Sequence, residues 1–140
     1  MDTGEVYLRM CNCPEIQEKW FAGVGDYATN KAFPDTAVLL TEKYFDEYGQ
    51  RLKLGKKNFS WIPRQDQLQD MIVFEGEKPP LIYLMMDFEK FCHSPMYSNN
   101  KVSQPPTVFK SYEQVWLAFY MAAMHKKIWD TNKNEWVEAA

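Results

Sequence analysis

Two hydrophobic periods, near 3.6 and near 2, alternate along this chain, and each change of period marks an element. Residues 5–11 form a short apolar stretch that fits either a helical turn or a strand. Asn12-Cys13-Pro14 interrupts it, and Pro14 suits the first position of a new short helix. Ile16 and Trp20 lie four apart and share a face of that helix. Gly23-Val24-Gly25-Asp26 then turns the chain. Residues 27–29 and 37–41 read as strands joined through a loop containing Pro34-Asp35. Val38 and Leu40 face one side there, and Leu39 the other. Residues 44–49 fit a strand edge or one helical turn, and residues 53–58 read as a loop.

Helical spacing returns at Pro63, which predicts a helix reaching about Phe74, with Leu68, Met71 and Ile72 on one face. Gly76 and Pro79-Pro80 close it. The apolar run 81–86 reads as buried, and residues 87–92 as a short helix through Phe88, Phe91 and Cys92. Residues 94–107 carry Pro95, Pro105, Pro106 and Asn99-Asn100 and form the longest loop. Ser111 and Gln114 make an S-x-x-Q capping box ahead of the apolar run 115–124. Lys126 and Lys127 suit the negative end of that helix. Trp116, Phe119 and Tyr120 point in different directions, so this helix is expected to be central and covered on most sides. The tail reads as a hairpin with a four-residue loop at 131–134, which sets Trp129 opposite Trp136.

Length and composition narrow the class. A chain of 140 residues, 46% hydrophobic and 16% aromatic, fits one α+β domain covering residues 1–140. The expected architecture is a small, mostly antiparallel sheet packed with two main helices, the C-terminal one central and followed by the hairpin. The net charge of −3, with short basic clusters at 53–57 and 125–127, falls short of a nucleic-acid footprint. No apolar run approaches the ~20 residues of a membrane span. The start lacks a basic and apolar leader, and the three cysteines are an odd number. Together these predict a reduced, cytoplasmic setting.

The segments Tyr7-Leu8-Arg9-Met10-Cys11, Trp61-Ile62-Pro63-Arg64-Gln65-Asp66-Gln67-Leu68-Gln69-Asp70-Met71 and Ser111-Tyr112-Glu113-Gln114-Val115-Trp116-Leu117-Ala118-Phe119 occur in that order. With Lys127-Ile128-Trp129-Asp130 and Glu135-Trp136-Val137, they resemble small uncharacterised proteins encoded by phages and prophages of gut bacteria. The resemblance spans most of the chain. It implies a bacterial host cell as the setting, and no activity.

Few residues offer chemistry. Cys11-x-Cys13 with Cys92-His93 is the one metal-like set, but its spacing is tighter than that of structural zinc sites. The cysteines are therefore expected to be structural, with no metal and no cofactor. Two histidines and the absence of hydrolase, metalloprotease or phosphate-loop motifs argue against an enzyme. Arg64 and Gln65 are more informative. At about 100° per residue, both fall on the side of Leu68, Met71 and Ile72, while Asp66 and Asp70 fall opposite. A cation in a first helical turn opposes the macrodipole, so Arg64 needs an acceptor, either in the fold or on a ligand or partner. The sequence thus predicts a non-enzymatic phage or prophage accessory protein that binds another macromolecule, a host or phage protein. Its expected surface is the 94–107 loop with exposed aromatics such as Tyr97. The alternative is a small-molecule or nucleotide binder with a pocket near Trp61, Arg64 and Gln65.

Overall fold

Tyr7, Met10 and Cys11 are spaced three and four apart and are all buried, so the first apolar stretch is a helix, α1 (Glu5–Cys11). The computed structural model describes residues 1–44, 59–97 and 104–139. The loop expected at 53–58, and all but Tyr44 of the ambiguous segment 44–49, lie outside them. The chain divides into two compact units, one over residues 3–64 and one from Gln65 onward that also takes in Asp2.

In the first unit, Pro14 opens α2 (Pro14–Gln17) at its first position. Three strands follow, β1 (Tyr27–Asn30), β2 (Ala37–Leu39) and β3 (Phe59–Ile62). They form an antiparallel sheet in the order β2-β1-β3, with Ala28 opposite both Val38 and Trp61. Leu40 is buried and Leu39 exposed, as the alternation predicts. Both α1 and α2 pack on β3. The outer edge of β3 is closed by one side chain. Gln17 Oε1 accepts from the Trp61 amide at 2.7 Å, and Gln17 Nε2 donates to the Trp61 carbonyl at 2.9 Å. The amide thus stands in for a missing strand, which protects an edge otherwise open to pairing.

The second unit opens with α3 (Gln65–Met71), shorter at both ends than the helix expected over 63–74. At the start, Pro63 lies in the connection directly after β3, and its carbonyl accepts from the Tyr7 hydroxyl at 2.6 Å. At the far end, Phe74 and Glu77 exchange backbone bonds of 2.8 and 3.0 Å around Glu75 and Gly76. Both central residues have positive φ, 53° and 79°, so this is a primed two-residue turn that ends any helix.

The run 81–86 and the short helix expected at 87–92 are one continuous helix, α4 (Leu81–Cys92). The expectation that the run is buried is wrong: only Leu84 within it is buried. Helical rotation spreads the other apolar side chains around the circumference, where they are exposed. A short helix, α5 (Pro105–Val108), follows, and residues 98–103 of the long loop lie outside the described residues.

The central helix is α6 (Tyr112–His125), and α3, α4 and α5 all pack on it. Every residue from Gln114 to Met121 is buried. The Phe88 ring stacks on Trp116 at 3.8 Å between centroids, and Phe119 meets both edge-on. At its start, the Ser111 hydroxyl accepts from the Gln114 amide at 3.1 Å. The reciprocal bond differs from the expected box, because Gln114 Oε1 accepts from the Lys110 amide. Asp2 completes the cap, accepting from the Ser111 hydroxyl at 2.6 Å and from Gln114 Nε2 at 2.8 Å. Finally β4 (Lys127–Asp130) and β5 (Glu135–Glu138) pair with Trp129 opposite Trp136, ring centroids 5.1 Å apart. The architecture is α+β, with the C-terminal helix followed by a hairpin.

Candidate functional site

Of the residues singled out in the sequence, Trp61 and Arg64 fall in the first unit and Gln65 and Tyr97 in the second. Trp61 lies in β3, is 4% exposed, and its indole N–H has no hydrogen-bond partner among the described residues. Arg64 stands one residue before α3, so the helical geometry that aligned it with Leu68 does not apply to it. Its guanidinium instead donates to the Gly25 carbonyl at 2.5 Å and lies 3.6 Å from the Asp26 carboxylate. Asp26 is buried and also accepts from Trp20 Nε1 at 3.0 Å and from the Gly23 amide at 2.9 Å. The acceptor that Arg64 requires is therefore part of the first unit. Gln65 opens α3 in the second unit, half-buried.

Tyr97 is not an exposed aromatic. Its ring packs edge-on against Phe91 and Phe109, with centroids 6.4 and 5.1 Å away. Its hydroxyl accepts from the Trp129 amide at 3.3 Å. Burial pushes the phenol up to about 12, against the opposing effect of the Trp129 bond. Tyr97 ties the start of the long loop to the core.

The sulfur and imidazole groups fall in both units, Cys11 and Cys13 in the first and Cys92, His93 and His125 in the second. Cys11 is buried in α1, and the Cys13 thiol donates to the Met10 carbonyl at 3.7 Å. Burial, and then the neighbouring Glu89 carboxylate, push the Cys92 thiol upward, the wrong direction for a nucleophile. His93 is exposed, 4.0 Å from Glu89, and His125 Nε2 lies 3.2 Å from the Tyr120 hydroxyl. Among the described residues, no three His, Cys, Asp or Glu side chains gather as a metal site.

Two features went unnoticed in the sequence. In the first unit, a cleft of about 370 Å³ opens beside the outward face of α1, where Glu5, Arg9 and Asn12 lie one turn apart. Lys31 and Asp35 from the β1–β2 connection form its other wall, with Ser60 and Thr29 at the strands. In the second unit, α4 turns Leu81, Ile82, Tyr83, Met85 and Met86 outward, each between 45% and 72% exposed. Ile82, Met86, Glu89 and His93 line the side opposite Leu84 and Phe91, so this face is apolar in its N-terminal half and ionic in its C-terminal half. The cleft had no sequence signal, because its walls are ordinary surface residues far apart in the chain. The α4 face did have one, since Asp87, Glu89 and Lys90 continue a single helical period from the apolar run.

No family model, curated protein or solved structure matches the chain.

Proposed function

We propose that the protein works without catalysis, by binding a second protein through the outward face of α4. One observation carries this reading: five large apolar side chains lie exposed within six consecutive residues of an ordered helix. Apolar area of this kind, on the order of several hundred Å², is the range in which a monomer's largest patch is functional. Met85 and Met86 suit it to a partner, because unbranched thioethers repack against varied surfaces. The charge around the patch favours protein over membrane or nucleic acid. Helices that lie on lipid flank their apolar side with Lys and Arg, whereas α4 carries Asp87, Glu89 and a single Lys90. The partner then offers an apolar face of its own. The resemblance to phage-encoded proteins supplies the setting, a protein of the phage or of its bacterial host in the cytoplasm. Among the described residues, no helix is long and apolar enough to cross a membrane.

Charge substitution separates this reading from one in which the chain covers its own patch. With Ile82→Asp and Met86→Asp together, the isolated protein should melt within about 2 °C of wild type, as exposed positions do. A fall of about 10 °C would mean that the face is already buried, and would contradict the proposal.

A further inference from the structure

The cleft beside α1 carries a second, independent inference. Its walls hold charges of both signs, Arg9 and Lys31 against Glu5 and Asp35. Lys31 and Asp35 have no ionic partner among the described residues. Arg9 and Glu5 approach to 3.5 Å, but both side chains are more than half exposed. A pair so hydrated is worth little and exchanges readily for contacts to a ligand. Behind them, Ser60 sits opposite Thr29 in the β1–β3 ladder, 7% exposed. Its hydroxyl has no hydrogen-bond partner among the described residues. Ser60 lines the cleft, so its hydroxyl, open to solvent there, offers a donor and an acceptor at the strand side.

These features select a ligand class. A polyanion such as a nucleotide would set its phosphates against Glu5 and Asp35. An apolar ligand would leave the Ser60 hydroxyl and four charges unmatched. At about 370 Å³ the space is at the small end for ligand sites. We infer that the cleft binds a small zwitterion of the α-amino-acid class. Arg9 and Lys31 receive its carboxylate, Glu5 and Asp35 its ammonium, and the Ser60 hydroxyl hydrogen-bonds to the bound molecule.

The test is amide NMR of the ¹⁵N-labelled full chain, titrated with each common L-amino acid to about 10 mM. At least one should shift the signals of α1 and of residues 29–35 in a saturable way. The N-acetyl and carboxamide derivatives of that amino acid, each lacking one charge, should bind at least tenfold more weakly. Lys31→Ala should weaken binding tenfold with an unchanged spectrum elsewhere, and Ser60→Ala should do the same. Because Ser60 lies in the sheet, Asp35→Asn on the surface gives a parallel reading if Ser60→Ala fails to fold. No saturable shift with any amino acid would overturn the inference. So would derivatives that bind as tightly as the free amino acid.

Discussion

Arg64 and Asp26 meet at 3.6 Å, joining the connection after β3 to the turn that precedes β1. Asp26 is buried, whereas a third of the Arg64 side chain is exposed. The arginine therefore neutralises a carboxylate that otherwise has Trp20 and the Gly23 amide as donors. The contacts of Arg64 to Gly25 and Asp26 hold this turn, where Gly25 adopts a φ of 91° that favours glycine.

Removing the arginine leaves a buried anion with weakened compensation. Arg64→Ala should cost roughly 1–3 kcal/mol of unfolding free energy, since Asp26 keeps its other donors. Arg64→Lys should recover part of the loss, lacking the planar fork. Denaturant titration of the three proteins measures this, and equal midpoints would show that the pair does not hold the turn.

Phe119 tests the core of the second unit. It is 5% exposed and touches the Phe88, Phe91 and Trp116 rings. Phe119→Ala should destabilise by roughly 3–5 kcal/mol, the range for deleting a buried aromatic. A wild-type melting temperature would contradict a covered central helix.

Tyr97 sets an alkaline limit. Its phenol titrates near 10 when unfolded and is pushed up to about 12 in the fold. Between those values the unfolded chain has lost a proton that the folded one keeps, so stability falls as pH rises. The full contribution is present below pH 10 and gone above about 12. Roughly 1.4 kcal/mol should disappear per pH unit across that window. In Tyr97→Phe this component should be absent, so the gap in stability between the two proteins should change from pH 9 to 12 by that slope. A constant gap would show that the hydroxyl is not buried.

Local rules carried the reading of the sequence furthest at the C-terminus. Counting from the 131–134 loop placed Trp129 against Trp136, and the Ser111 cap marked the start of α6, because both depend on neighbours in the chain. The failures are tertiary. Pro63 looked like a helix start, yet the Tyr7 hydroxyl, 56 residues away, holds its carbonyl in the connection after β3. Asp26 read as a turn residue, with nothing nearby to announce Arg64. Gln17 and Asp2 were passed over for the same reason, since their partners Trp61 and Gln114 are distant. The run 81–86 misled differently. Its apolar composition suggests burial, but helical rotation sets only Leu84 toward the core and leaves the other five side chains exposed.

Site-specific photo-crosslinking tests the central claim most directly. A benzophenone side chain is placed at Ile82, and in a control at Tyr112, which is also well exposed, and each protein is irradiated in its own host cell. The account predicts one discrete protein adduct from position 82, lost when Met85→Asp and Met86→Asp are added, and none from position 112. Adducts of the same identity from both positions, or only a cross-link within the chain from position 82, would contradict it.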